Sequence, residues 1–509
     1  MSSYIRNYFN IYLFKGISII LGFVSMFIVL PYLTSNQELY GIYAICTSLT
    51  IYFSYADLGF GSAGQKFAVE RYVQKDNDGE IRIVGFTFFI YIAFMTLVAL
   101  AIVGISVQPD RFLKGITPEN VDTARFLLII LACAAPAMAM NRILEMIFSI
   151  RLEDYKYQRI LIIGNIVKIA IAFIFFGGGK YMIVPYYFTY HAITFVCCIV
   201  AFVYVKRIYK YDIGKLFKNI RFDKGVFGLV KNLAFASLVG MICWILYYEL
   251  DQITIGAIWG VKEVAIYAIG FNVITYFRTY LGTLFSPLTT RYNYYIGQKD
   301  IEGLNAHVLR TMDFFYPFVV IPILVVVVFA EPFVISWVGS AYSDSVIHVR
   351  FLTLCNIMAF LCYPASSYMI AREKNIYISE VAILITVVFW GGIFMANKWL
   401  GILSFSSMKL VAFMASALFY LIIISKIMKV NIGSILKPII KHYWIPTIVC
   451  LTLSCGIIWL FPQLVNAHLF INMLIMGMVC AVSFALSIPR SPILKDKVSE
   501  LFLSFGSKK

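Results

Sequence analysis

KRIYKYDIGKLFKNIRFDKGVFGLVK, residues Lys206–Lys231, is the longest polar and basic interval in the chain. Eight of its residues are cationic (Lys206, Arg207, Lys210, Lys215, Lys218, Arg221, Lys224 and Lys231), against two acids, Asp212 and Asp223. In a nucleic-acid-binding protein such a run would meet phosphates. Here it falls between two long apolar segments, and excess Lys and Arg mark the loops that stay on the cytoplasmic side of a membrane. The run therefore reads as a cytoplasmic linker between two halves of an integral membrane protein, and no nucleic acid is expected as a partner.

Composition supports this. The 509 residues are 61% hydrophobic and 13% charged, with a mean hydropathy of +0.85. Soluble domains carry about 25% charge. The apolar residues come in runs of about 20, the length a helix needs to cross hydrocarbon. The fold class is all-α and polytopic. The net charge of +16 measures loop bias and says little about an acidic partner. The five histidines (His191, His307, His348, His442 and His468) are scattered, none beside Cys or Glu at metal-ligand spacing, so no metal is expected. The ten cysteines all lie in apolar runs, which argues against a disulfide framework or a zinc knuckle. The first apolar run starts near Asn10, is too long for a signal peptide and has no small-residue cleavage site. It is expected to remain as the first span.

Spans are expected at 10–33, 39–62, 83–107, 124–149, 159–178, 181–205, 229–255, 263–287, 311–330, 346–370, 376–397, 402–424, 443–462 and 468–488, fourteen in all. With the N-terminus inside, 30 of the 42 Lys and Arg fall in cytoplasmic segments and 5 in external ones. One span more or fewer would scramble that asymmetry, so both termini are expected in the cytoplasm. Trp259, Trp337, Trp399, Trp444 and Trp459 fall near span ends, where amphipathic rings favour the headgroup zone. The external loops are short, the longest around Arg111 to Thr123, and none could hold a conventional catalytic site. For the tail after Arg490, two readings stand open: an amphipathic surface helix with Leu494, Val498, Leu501 and Phe502 on one side, or a solvated tail.

The halves echo each other. Ile42-Tyr43-Ala44-Ile45 with Tyr52-Phe53 recurs as Ile266-Tyr267-Ala268-Ile269 with Tyr276-Phe277, and each is followed by Arg-Tyr, at Arg71-Tyr72 and Arg291-Tyr292. Six spans separate the copies, so both would insert the same way up, as parallel repeats about the membrane normal.

Ionisable groups within spans are the functional candidates, because each costs at least about 2.5–3.5 kcal/mol to bury in hydrocarbon. Lys168 sits mid-span with Asn165 one turn earlier on the same face and no acid in that span. It is read as a cavity cation, with an interhelical salt bridge as the alternative. Arg278, flanked by Tyr276 and Tyr280, suits bidentate binding of phosphate or carboxylate, with pairing to Asp57 as the alternative. Lys409 is similar. Arg142 and Glu145 stand three apart on one helix and should neutralise each other. Asp57, Glu249, Asp251 and Glu380 are candidate proton or sodium sites, although Glu249 and Asp251 near a span end could simply be solvated. Gly59-Phe60-Gly61-Ser62-Ala63-Gly64 matches G-x-G-x-x-G, but no strand precedes it, so these small residues read as close helix packing rather than nucleotide binding.

The opening KGISIILGFVSMFIVLPYLTSNQELYGIYAICTSLTIYFSYADLGFG carries a Lys early in the first span and Pro31 with Leu33 at its end. Tyr40-Gly41 opens the second span and Asp57-Leu58-Gly59 closes it. In these features it resembles the O-antigen (Wzx) type of polysaccharide repeat-unit flippase, of the multidrug/oligosaccharidyl-lipid/polysaccharide exporter superfamily. The resemblance is carried by residues 10–72; beyond them only the span plan and the basic linker support it. It implies six-helix bundles at 1–205 and 229–424 around a V-shaped cavity. The linker would be 206–228, the extra helix pair 425–488 and the cytoplasmic tail 489–509. It implies a multi-pass protein of the bacterial inner membrane that flips an oligosaccharide on undecaprenyl pyrophosphate, driven by no cofactor other than a proton or sodium gradient. A polysaccharide polymerase and a chain-length regulator are its implied partners. Lys168, Asn165, Arg278 and Lys409 would then hold the headgroup. The alternatives are a cation-coupled multidrug exporter and a membrane-embedded polysaccharide polymerase or ligase. An interior lined by cations suits cationic drugs poorly, and the enzymes use a large external loop that this chain lacks.

Overall fold

The computed structural model describes residues 3–496 except 56 and 467, and among them every regular element is helical. The chain divides into two compact units, Met1–Ala265 and Ile266–Lys509. The first contains α1 (Ser3–Leu33), α2 (Gln37–Ser54), α3 (Phe60–Val73), α4 (Asn77–Val107), α5 (Pro109–Phe112), α6 (Val121–Ile150), α7 (Asp154–Phe176), α8 (Ile183–Arg207), α9 (Ile213–Lys218), α10 (Lys224–Trp244) and α11 (Asp251–Ile258). The seam falls inside α12 (Val261–Phe285). The second unit continues with α13 (Pro287–Gly297), α14 (Ile301–Val328), α15 (Ala330–Val338), α16 (Ser345–Leu354), α17 (Ala359–Ala371), α18 (Asn375–Leu400), α19 (Leu403–Met428), α20 (Ile432–Leu460) and α21 (Leu469–Ser487).

Local chemistry sets the ends. Asp76, Asp223, Asp300 and Asn431 cap α4, α10, α14 and α20 by accepting from the amides of Gly79, Gly225, Gly303 and Gly433. Lys75, Leu152, Lys299, Glu373 and Lys429 follow α3, α6, α13, α17 and α19 in the left-handed conformation that stops a helix. In the first unit α4 packs on α6, α1 on α7, and α8 on both α6 and α7. In the second, α18 packs on α19, and α14 meets α17, α20 and α21.

Ten helices are long and apolar enough to cross a membrane, twelve if each bent pair counts as one span. Their apolar windows are poorly covered by protein: 17% buried in α1 and α21, and 50% in α14. Surfaces such as Ile163, Ile166 and Ile174 on α7, or Phe394, Met395 and Trp399 on α18, stand exposed. Only lipid can cover that much apolar area. This is a multi-pass membrane protein. The two further helices where spans were expected, α2 and α12, are more polar and fall outside the twelve.

Those two helices carry the repeat. Tyr43 on α2 meets the Tyr187 ring edge-on at 5.7 Å and 79°, and Tyr267 on α12 meets Phe405 edge-on at 6.3 Å and 74°. Each helix is followed by a break and a second helix, α3 or α13, bearing the Arg-Tyr pair.

The sequence expectations change in several places. The second span ends at Ser54, and α3 begins separately after Gly59, which sits at φ 81. The small residues there do serve packing: a Cβ on Gly59 would lie 2.7 Å from the Ala234 carbonyl oxygen of α10. The basic linker is folded rather than loose. Asp223 caps α10 and takes two parallel bonds from Arg82, the Nη2–Oδ1 contact at 2.8 Å, while Lys215 reaches Asp78 at 2.9 Å. Through the packing of α10 on α3 and α11 on α2, the linker and the seventh expected span belong to the first unit, so the seam lies at 265/266 rather than at the linker. Trp337, expected at the interface, is buried. Of the tail, 492–496 are helical with Leu494 buried; Val498, Leu501 and Phe502 lie outside the described residues. All ten cysteines are free, and only Cys133 and Cys455 are exposed.

Two predictions follow from local geometry. Gly59→Val places a branched side chain at a left-handed position against a backbone carbonyl. It should cost at least about 1–2 kcal/mol and lower the thermal midpoint measured in detergent. The Arg82 guanidinium holds the Asp223 carboxyl down at about 2. A depressed carboxyl stabilises the fold above the usual carboxylate range. That contribution should therefore fade as pH falls from about 4 towards 2, and Asp223→Asn should flatten the fall in melting temperature over that interval.

Candidate functional site

The expected headgroup residues occupy both units. In the first, Lys168 is half-buried on α7, and its Nζ lies 3.9 Å from the centre of the Tyr190 ring on α8, a cation–π contact. Asn165 is half-buried one turn earlier. No Asp or Glu occurs on α1 or α8, and Asp154 at the first turn is the only one on α7. Lys168 therefore has no acid on these helices at its own depth. Next to Tyr190 stands His191, 8% exposed, whose ring meets those of Tyr187 and Tyr190 edge-on at 4.6 and 5.5 Å.

In the second unit, Lys409 on α19 is almost fully buried, with its ammonium 5.1 Å from the Phe389 ring centre and 5.6 Å from that of Phe271. Arg278 on α12 is half-buried and within electrostatic reach of Tyr363 on α17. The structure thus brings Lys168 together with Tyr190 and His191, and separately surrounds Lys409 with aromatic rings.

The acids separate by environment. Glu249 ends a π-helical turn, Ile245–Glu249, and Asp251 begins α11; both are buried, so simple solvation at a span end does not describe them. The Ser48 hydroxyl donates to the Glu249 carbonyl at 3.1 Å, and the Tyr52 ring lies within electrostatic reach of both carboxylates. Such π turns recur at functional sites. Asp57 is buried and accepts from the Gly61 amide at 2.9 Å, supporting the first turn of α3. Glu380 is exposed on α18. Arg142 and Glu145 pair at 3.3 Å, as their spacing predicted.

Two constellations escaped the sequence reading. At the linker, Arg151 pairs with the buried Glu80 at 3.0 Å and lies over the rings of Tyr72, Tyr209 and Tyr211 at 4.9, 5.1 and 5.2 Å. Glu80, Arg151, Tyr209 and Tyr211 line a polar cavity of about 460 Å³, to which Lys75, Lys210 and Lys215 also contribute. In the second unit, the buried Asp313 on α14 is held by His442 Nδ1 at 2.9 Å and by the Ser491 hydroxyl at 3.0 Å. Nothing in the spacing of these residues along the chain joins them; only the packing of α14 on α20 and α21 does.

The fold is similar to that of the lipid II flippase MurJ in an inward closed conformation, with a TM-score of 0.68 and 13% identity over 93% of this chain and 98% of that one. It is also similar to an inward-facing multidrug resistance MATE family transporter of the MOP superfamily, with a TM-score of 0.61 and 14% identity over 82% of this chain and 96% of that one. A third neighbour is a MOP superfamily transporter from Pyrococcus furiosus described as having a binding pocket of reverse polarity, with a TM-score of 0.59 and 13% identity over 84% and 95%. No protein-family profile and no curated protein matches the sequence. The fold is that of the MOP-superfamily transporters, and these neighbours are flippases and transporters rather than enzymes.

Glu80→Ala would leave Arg151 buried without its carboxylate. It should cost about 3–5 kcal/mol, whereas Glu80→Leu combined with Arg151→Met should cost much less; thermal melting of the purified variants distinguishes the two.

Proposed function

We propose that this protein translocates an oligosaccharide repeat unit on undecaprenyl pyrophosphate from the cytoplasmic to the outer leaflet of a bacterial inner membrane, as a step in O-antigen or capsule assembly. The observation that carries the reading is Lys168, an ammonium held at membrane depth against an aromatic ring on helices whose only acid is at the first turn of α7. A pyrophosphate needs such a charge to leave water, and the isoprenoid tail needs lipid. Arg278 and Lys409 supply further cations, and Asn165 an amide beside Lys168. Fourteen spans, two of them α2 and α12, would form two six-helix bundles and an extra pair, α20 with α21. The two bundles would expose the headgroup residues to each side of the membrane in turn. Glu249 and Asp251, buried beside the π turn, are the foremost candidates to take up a proton or sodium ion for the return step, ahead of Asp57 and Glu380. A polymerase and a chain-length regulator would act on the flipped product.

The fold likeness to a lipid flippase extends over more of the chain than the likeness to multidrug transporters, by about the size of α20 and α21 together. That favours a lipid-linked cargo over a small drug. Deleting the gene should abolish surface polymer and trap single repeat units on the cytoplasmic side. Intact polymer with new sensitivity to cationic dyes would indicate a drug exporter, and unpolymerised units outside the membrane would indicate a polymerase or ligase. Arg278→Ala should lower transport about tenfold or more while the protein remains in the membrane. Normal transport by that variant would remove Arg278 from the headgroup set.

A further inference from the structure

His191 has no role in the reading above. It is more than nine-tenths buried, yet neither Nδ1 nor Nε2 has a hydrogen-bond partner among the described residues. The rings of Tyr187 and Tyr190 stand nearly perpendicular to its plane, at 83° and 76°. An imidazole carries at least one N–H donor in every protonation state, and Lys168, whose charge reaches His191, brings three more. Donors therefore converge here without a carboxylate to receive them. The helices that touch α8 offer no carboxylate nearby: α7 has only Asp154 at its first turn, the acids of α6, Asp122 and Glu145, sit towards its two ends, beside Arg125 and Arg142, and Glu38, at the first turn of α2, accepts from Thr117 and Asn120.

The repeat supplies an independent observation. Tyr43 meets Tyr187 edge-on in the first unit, as Tyr267 meets Phe405 in the second. Four residues beyond Tyr187 stands His191, and four beyond Phe405 stands Lys409; both are buried. The same place in each unit is thus occupied by a base.

We infer that His191, Lys168 and Tyr190 form an oxyanion half-site in the first unit, with His191 contacting phosphate oxygens and Lys168 balancing their charge. The identity of the cargo rests on the function proposed above, but the half-site itself requires only a phosphate-class anion. Its repeat relationship to Lys409 also predicts which replacement His191 tolerates: lysine, and not a ring without nitrogen.

The test uses the full chain in nanodiscs and compares binding of undecaprenyl pyrophosphate with that of undecaprenol, alongside thermal stabilisation by inorganic pyrophosphate in detergent. His191→Phe and Lys168→Met should each weaken binding of the pyrophosphate lipid by about tenfold and leave undecaprenol unchanged, while His191→Lys should remain within about threefold of the natural chain. Inorganic pyrophosphate should stabilise the natural chain and not His191→Phe. If His191→Phe folds and binds the pyrophosphate lipid as well as the natural chain, the half-site is overturned and the flippase reading stands. If His191→Phe does not fold, unchanged lipid affinity in Lys168→Met overturns the half-site instead. If only inorganic pyrophosphate binds, in a His191-dependent way, the half-site stands and the lipid-linked cargo is wrong. If neither anion binds, both fall.

Discussion

Hydrocarbon offers no hydrogen bonds, and everything polar that this chain carries to membrane depth must be answered by the chain itself or by its cargo. The backbone meets that demand because every regular element among the described residues is helical. The side chains meet it in different ways. Arg142 and Glu145 neutralise each other along one helix, and Asp313 is held between the His442 imidazole of α20 and the Ser491 hydroxyl just beyond α21. The Asn472 amide, fully buried on α21, donates to the Pro332 and Leu464 carbonyls and to the Ser336 hydroxyl. Lys168 is met only partly, by the face of the Tyr190 ring. A ring face attracts a cation but leaves its N–H donors unspent. This difference between groups that are satisfied and groups that are merely accommodated separates scaffold from site.

The architecture was largely legible because its signal is coarse. A run of some 20 apolar residues between Lys- and Arg-rich loops needs no knowledge of partners to be read as a span. Finer features depended on three-dimensional neighbours. The break between α2 and α3 turns on Gly59, whose positive φ and closeness to Ala234 appear in the sequence only as one glycine among small residues. The linker read as a charge run because its partners, Asp78, Arg82 and Glu153, lie far away in sequence on α4 and just before α7. His191 was passed over as one scattered histidine. Its signal was present: an aromatic residue four places before a base, in Tyr187–His191 and again in Phe405–Lys409. The repeat is plain in α2 with α3 and in α12 with α13, and extending it to the helices that touch α2 and α12 joins the pair.

The linker also shifts the boundary of the first unit. Asp223 ties the start of α10 to Arg82, Asp212 caps α9, and a cluster of Phe60, Phe86, Phe222 and Phe227 packs beneath them. The most basic stretch of the chain is consequently a folded surface with its own cavity. The covalent passage into the second unit runs through the interior of a helix, α12, instead of a slack loop.

The distribution of thiols has a practical consequence. Eight of the ten cysteines are wholly or partly covered by protein, and the other two, Cys133 and Cys455, lie within apolar helices whose exposed faces meet lipid. Alkylation by a maleimide needs a thiolate, and a thiolate needs water. The natural chain should therefore be nearly silent to membrane-impermeant thiol reagents. Single cysteines introduced along α7, α8 or α12 could then be labelled selectively from either face of a vesicle, mapping which positions open to which side without first rebuilding the native protein.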